Sequence, residues 1–396
     1  MVLLPCRAAW GPLLPPLRCA AVGGGGIRGL SSSAVRRTVM PAWVLDRYGP
    51  NEVLRFTKNA SFPMIKYPNE VIVKVHAAGL NPIDLSMRGG YGAATLRMRR
   101  DPLNVNQSGS EFPLILGRDV SGVVMECGLS VAYFKPGDEV WAAVPPWKQG
   151  SLAEFVVLSG NEVGATGAGF GRRRRGRGRF TLGFWTLIDV AGSFDFLPNR
   201  ILIIGASGGV GTFAVQMVKA WGGHVTAVCS RNAEGLVRGL GADHVVDYKT
   251  GAVDVELKTL EKFNLILDNV GGNTERWAPG LLKPWSGAKF VTLVTPFLKN
   301  TDTLGIADGM MQTGVTIATK ALKHLSKGVH YRWGFFAPSG LALDEVREMV
   351  DAGQIRPVVE QQFSFSQVPQ AFLKLEKGHA RGKLVVNVEG GVQREQ

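Results

Sequence analysis

The sequence predicts an α/β protein in two parts, a mostly antiparallel β domain and a doubly wound parallel sheet, on three observations. From Pro41 to about Val163 the chain reads as short alternating or apolar runs broken by turn residues, the pattern of half-buried antiparallel strands. Near Ile201 the period changes to an apolar strand, a glycine turn and a helix. Strand and helix candidates then alternate, as a parallel sheet with crossover helices requires. The length of 396 residues, with 45% hydrophobic side chains, suits two to three domains at about 100–200 residues each.

Residues 1–40 read as an address. Residues 1–45 hold five arginines (Arg7, Arg18, Arg28, Arg36, Arg37) and no acid, with Ser31, Ser32 and Ser33 among them, the composition of a mitochondrial transit peptide. Pro12, Pro15, Pro16 and Arg18 interrupt the apolar core that a secretory signal needs. Cleavage is expected between residues 27 and 40, and the expected location is mitochondrial, in the matrix, with association to the outer membrane as the alternative. Cys127 and Cys229, free thiols in this reading, suit a reducing compartment.

A net charge of +13 invites a nucleic-acid reading, but its distribution opposes it. A second run, Arg172 to Arg175 with Arg177 and Arg179, adds six arginines to the five near the start, and without these eleven the net charge falls to +2. A nucleic-acid binder spreads basic residues over a folded surface, so no specific nucleic-acid partner is expected. Four cysteines in the whole chain exclude a disulfide scaffold. No uncharged apolar run reaches the ~18 residues of a transmembrane segment.

Within residues 41–163, the runs EVIVKVHAAG (70–79), LILG (114–117), VSGVVMEC (120–127) and DEVWAAV (138–144) are strand candidates. Residues 164–199 form a Gly/Arg-rich junction, read either as a solvated loop or as an arginine–glycine tract. Residues 200–336 hold the parallel part. It starts with ILII and a helix carrying Phe213, Ala214, Met217, Val218 and Trp221 on one face, and continues with strands at 224–228, 243–248, 264–270 and 288–294. From about Ala337 to 396 the chain returns to mixed structure and ends in the strand LVVNV (384–388).

The strongest chemical signal is the turn Gly205-Ala206-Ser207-Gly208-Gly209-Val210-Gly211, between a predicted strand and a predicted helix. Small residues there let the backbone approach a pyrophosphate, and the helix N-terminus offers free N–H groups and partial positive charge. A site selective for NAD places Asp or Glu about 20 residues further on, at the end of the second strand. Here Ser230 and Arg231 stand instead, a hydroxyl and a guanidinium suited to a 2′-phosphate, and Tyr248 at the end of the third strand could add a hydrogen bond. The cofactor expected is NADPH. The six histidines and four cysteines show no C-x-x-C or H-x-x-x-H spacing, so no metal site is expected.

Taken together, NPIDLSMRGGY (81–91), GRDVSGVV (117–124), PGDEVWA (136–142), the GASGGVG turn, LGADHVVDY (240–248), DNVGG (268–272) and HARGKLVVNV (379–388) resemble the zinc-free quinone-reductase branch of the medium-chain dehydrogenase/reductase family. The resemblance covers residues 41–163 and 200–389. In the zinc dehydrogenases of this family the second motif would read G-H-E; Arg118 and Asp119 replace its last two residues here. The junction at 164–199 departs from the family, whose members have a helical stretch leading into the first nucleotide-fold strand.

This resemblance implies a GroES-like β-rich catalytic domain wrapped around a Rossmann domain, with NADPH in the cleft between them. It places Ser207, Gly208, Gly209, Val210 and Gly211 at the pyrophosphate, and Ser230, Arg231 and Tyr248 at the 2′-phosphate. Asn269 and Leu293 would line the cofactor cleft, Phe335 and Phe336 would flank the nicotinamide, and His379, Ala380 and Arg381 would close the site. Asn81 and Tyr91 are the catalytic candidates, as hydrogen-bond donors to the forming oxyanion, with Asp84 either beside them or bracing the loop. The activity implied is hydride transfer to a quinone, in mitochondrial ubiquinone metabolism, by a homodimer formed through the Rossmann edge. Two other readings stand beside it: reduction of an enoyl thioester or other enone, and a non-catalytic NADPH-binding scaffold that docks to a reticulon or a ubiquinone-biosynthesis complex.

Overall fold

The computed structural model describes residues 38–98, 111–166, 200–334 and 339–389. The segment up to residue 37, expected from sequence to be a transit peptide, most of the Gly/Arg junction, and Phe335 and Phe336 lie outside the described residues.

The β part holds two sheets. A three-stranded sheet has the order Leu54–Ser61, Val39–Leu45, Leu114–Ile115. A seven-stranded sheet runs Val359–Ser364, Lys383–Asn387, Glu70–Leu80, Asp119–Cys127, Glu139–Ala143, Val163–Ala165, and Phe155–Ser159 pairs with Glu70–Leu80 off that path. The predicted strands are all present, and the C-terminal strand returns to the domain in which the chain began. One core joins these sheets, with Val71, Val73, Val75, Val120, Val140, Phe155, Leu384 and Val386 in it. The helix Val368–Glu376 adds Val368, Ala371 and Phe372 at i, i+3 and i+4, the spacing of one helical face.

Six parallel strands form the second part, in the order His244–Asp247, His224–Cys229, Arg200–Ile204, Leu265–Asp268, Lys289–Thr292, His330–Trp333. The four inner strands are buried on both faces, so their residues divide by the period of two, whereas the edge strand His330–Trp333 exposes His330 and Arg332. Ile201 and Ile203 enter one core with Phe213, Ala214 and Met217 of the helix Gly209–Ala220; Leu202 and Ile204 enter the other with Phe263 and Phe290. The helix Gly340–Asp351, read from sequence as part of the returning segment, packs Ala342, Leu343, Val346 and Met349 into the first of these cores.

The strand order reverses at Arg200–Ile204, the first strand of this sheet in chain order, whose neighbours are the second and the fourth. A crevice opens at such a reversal, beyond the carboxyl ends of the strands. Asn269 locks it: its backbone N–H and its Nδ2 both donate to the carbonyl of Ile204, at 3.2 and 3.0 Å.

Candidate functional site

A cleft of about 610 Å³ lies at this reversal, between the parallel sheet and the β part. Its floor is the turn after Ile204. Gly205 has φ +76°, a left-handed conformation that favours glycine. Gly211 has no room for a side chain, since a Cβ would come within 2.3 Å of the Gly205 carbonyl oxygen. Gly208 differs: it is the N-cap of the helix, with φ −76°, and a Cβ there would find nothing nearer than 3.7 Å. No side chain caps this helix, so the N–H groups of its first turn face the cleft without intrahelical partners. The C-terminal segment closes over the turn, as the Gly382 N–H donates to the Ser207 carbonyl at 2.9 Å.

The structure brings most of the sequence-predicted residues to this cleft. Ser207, Gly208, Gly209, Val210 and Gly211 line it, as do Ser230, Tyr248, Asn269, His379, Ala380, Arg381 and Asn81. Tyr248 Oη lies 3.4 Å from His379 Nδ1, so the strand His244–Asp247 of the parallel sheet and the C-terminal loop meet at one end. Among the described residues, no carboxylate lines the cleft next to Ser230. The residues fit a dinucleotide: Asn269 Oδ1 is buried without a partner, an acceptor left for a bound donor, and the uncapped helix is suited to a pyrophosphate.

Three predicted residues do not line it. Arg231 opens the short 3₁₀ turn Arg231–Ala233, in which Ala233 takes the buried position and the guanidinium stands in solvent beside Ser230. Leu293 packs against the core of the parallel sheet, and its backbone N–H donates to the Asp268 carbonyl. Tyr91 follows the turn at Gly90 (φ +100°) into a separate narrow crevice with Pro146, Trp147 and Leu298, where burial and the Asp302 carboxylate push its hydroxyl pKa up. Phe335 and Phe336 lie outside the described residues.

Sequence reasoning missed Lys383. Antiparallel register pairs Leu384 with Leu80, which sets Lys383 opposite Asn81, and the same central strand pairs Gly79 with Asp119. The Lys383 ammonium therefore reaches two partners from distant parts of the chain. It donates to Asp119 Oδ2 at 2.6 Å and to Asn81 Oδ1, while Asn81 Nδ2 donates to the same Asp119 oxygen at 3.0 Å. All three residues are buried. The lysine stem runs past Gly209, where an added Cβ would lie 2.8 Å from Lys383 Cδ. A charged residue opening the apolar run LVVNV was the available signal, since a strand-end lysine that enters the core needs a carboxylate partner.

Behind this group Asp84 and Arg118 form a second buried pair. Asp84 accepts from the Asn81 and Gly117 N–H groups at 2.9 and 2.8 Å, so its role is to brace the loop. Burial outweighs Arg118 and the two N–H groups and leaves the Asp84 carboxyl raised to about 6. Arg118 donates to the carbonyls of Pro145, Lys148 and Ile115, and burial lowers it to about 10. Among the described residues no group of three His, Cys, Asp or Glu could hold a metal ion, and no helix is long and apolar enough to cross a membrane.

Known proteins agree with this architecture. Residues 67–177 match the alcohol dehydrogenase GroES-like domain and residues 240–386 match a family described as zinc-binding dehydrogenase. The chain is 66% identical to the NAD(P)H oxidoreductase RTN4IP1, mitochondrial, of Danio rerio, over 98% of each chain. It is 64% identical to the Homo sapiens protein of the same name, over 91% of this chain and 92% of that one. The solved quinone oxidoreductase from Coxiella burnetii superposes with a TM-score of 0.70 at 25% identity, covering 88% of this chain and 99% of that one. With two thirds of its residues shared with the zebrafish protein and the two-part fold in place, the chain belongs to the medium-chain dehydrogenase/reductase family, in the group of the RTN4IP1 NAD(P)H oxidoreductases.

Proposed function

We propose that the chain is an NADPH-dependent, zinc-independent oxidoreductase that reduces a quinone in mitochondria. The observation that carries this reading is the Lys383–Asn81–Asp119 cluster at one end of a dinucleotide-shaped cleft: a protein cation stands among the motif residues where a zinc enzyme of the family would carry ligands. When bound, the reduced nicotinamide supplies a hydride. Preference for the phosphorylated cofactor is supported by Ser230 and Tyr248 lining the cleft, with Arg231 at its rim and no carboxylate to repel a 2′-phosphate.

The chain's own residues then have separable tasks. The helix starting at Gly209 holds negative charge at its N-terminus, and Asn269 fixes the turn against the next strand. Lys383 has three N–H donors, of which Asn81 and Asp119 take two. The third is available to an acceptor oxygen that gains charge as it is reduced, and an ammonium can also give that oxygen its proton. Quinones need little more, because the electrons are accepted by a ring already poor in them. The mitochondrial names of the two vertebrate relatives, with the acid-free and arginine-rich residues 1–45, support a location in the matrix.

The test is oxidation of NADPH and of NADH by short-chain ubiquinone analogues, with binding of each cofactor followed by fluorescence titration. Tight NADPH binding with quinone-dependent turnover is expected. Absence of NADPH binding overturns the reading, and turnover with enoyl thioesters but not quinones replaces the acceptor class.

A further inference from the structure

The connection between the neighbouring parallel strands Lys289–Thr292 and His330–Trp333 holds one helix more than a crossover needs. The helix Ile306–Leu325 makes the crossover: Ile317 packs against the second core, Lys320 pairs with Glu275 at 2.5 Å, and His324 stacks on Tyr331. The extra helix, Phe297–Leu304, is seated on it. A Cβ on Gly309 would lie 2.5 Å from Thr301 Cα, and Asn300 Nδ2 donates to Thr313 Oγ1 at 3.0 Å. The two helices form an arm, and the arm reaches the β part. There the Asp302 carboxylate accepts from the Gly92 and Ala94 N–H groups, at 2.7 and 3.0 Å, where the helix Ala93–Met98 begins. First-turn N–H groups have no partner in their own helix, so a residue of the parallel-sheet part supplies the cap. Leu298 of the arm enters the crevice of Tyr91, Leu96 and Trp147.

The two parts also meet in a contact of a different kind. Trp141 of the β part lies in the first core of the parallel sheet with Leu343 of the helix Gly340–Asp351. That helix sits hard on the β part, since a Cβ on Gly340 would lie 2.2 Å from the Val163 carbonyl oxygen. This joint is on the face of the parallel sheet that holds Phe213, whereas the arm rises from the face that holds Phe290. A close-packed joint does not open piecemeal; a surface contact built on two hydrogen bonds does. The cleft is lined from both parts, by Asn81, Pro82 and Lys383 on one side and by residues 205–211 on the other. We propose that Asp302 is the catch of this cleft: it fastens the arm to the β part, the two parts hinge at Trp141 and Leu343, and release of the catch sets the rate at which the dinucleotide enters and leaves. The rate effect rests on NADPH being the cofactor, as proposed above; the fastening of the two parts does not.

The experiment is amide hydrogen exchange of the full chain, read by mass spectrometry, with stopped-flow release of NADPH, for the unaltered protein, Asp302→Asn and Asp302→Ala. Asp302→Ala removes both acceptor oxygens. Exchange is expected to quicken at least about tenfold in residues 92–98 and also in 297–304, while the strand Glu70–Leu80 keeps its protection. Alanine favours a helix more than aspartate does, so faster exchange in 297–304 reports the lost contact and not a weaker helix. NADPH release is expected to quicken at least about tenfold as well, and Asp302→Asn, which keeps one acceptor oxygen, to fall between the two. Unchanged exchange in residues 92–98 overturns the inference. So does an unaltered rate of NADPH release beside faster exchange in 92–98, which leaves Asp302 a helix cap only. If the unaltered chain binds no NADPH, the cofactor reading fails, and exchange in 297–304 alone decides whether Asp302 fastens the two parts.

Discussion

Lys383 and Asp119 form a buried ion pair at 2.6 Å across the end of the strand Glu70–Leu80, which separates their own two strands in the sheet. The pair forms only because that central strand stops at Leu80 and lets both side chains converge on Asn81. Removing one member leaves the other charged and out of water. Lys383→Met is therefore expected to cost about 3–5 kcal/mol, read as a large fall in melting temperature, and Lys383→Met with Asp119→Asn to recover more than half of it. Equal stability of the single and double variants would show that the charge itself is not what matters.

The two glycines of the turn separate folding from binding. Gly211→Ala places a methyl 2.3 Å from the Gly205 carbonyl oxygen, so the turn must open, and both thermal stability and nucleotide binding are expected to fall. Gly208→Ala meets nothing within 3.7 Å and keeps an ordinary φ, so its melting temperature should stay within a few degrees of the unaltered chain. Its methyl nevertheless stands at the uncapped helix end, where a pyrophosphate oxygen must come close to the backbone. A tenfold or larger loss of NADPH affinity is expected, measured by calorimetric titration. Unchanged affinity in Gly208→Ala would remove the phosphate from that turn.

Much of this arrangement was legible in the sequence because it is local. The glycine turn, the strand before it and the helix after it lie within about twenty residues, and their spacing alone marked Gly205–Gly211 as a candidate phosphate turn, which lines the cleft. Ser230 could be placed because it follows directly on a strand end, while Asn269 came from the family resemblance. Lys383 could not, since its partners Asn81 and Asp119 are hundreds of residues away and only the antiparallel register joins them. Arg231 and Tyr91 stand outside the cleft lining for a related reason. Motif position gives the neighbourhood of a side chain but not its direction, and the turns at Arg231–Ala233 and Gly90 decide direction.

Ser230 sits at the end of the second strand and lines the cleft, which makes it a cleaner probe of cofactor choice than the solvent-facing Arg231. Ser230→Asp puts a carboxylate where a 2′-phosphate would lie and where ribose hydroxyls would otherwise be accepted. The expected outcome is at least a tenfold rise in the NADPH dissociation constant with NADH affinity kept or improved. Fluorescence titration with both cofactors checks it, and parallel loss of both would mean that the phosphate is held elsewhere.

Asp84 gives a pH signature that no exposed carboxylate shares. Its pKa is raised in the folded state to about 6 from an ordinary 3.8, because burial penalises the charged form more than Arg118 and two N–H groups favour it. Between those values the folded chain binds more protons at this residue than the unfolded chain does. Its contribution to stability is therefore complete below the lower value and is lost as pH rises through the upper one. Asp84→Asn cannot change charge, so the cost of that substitution is expected to shrink as pH rises from 4 to 7, by no more than about 3 kcal/mol. Melting temperatures of the two proteins across that range test it. A difference that is flat, or that widens with pH, would mean the Arg118 guanidinium outweighs burial and holds the carboxyl ionised throughout.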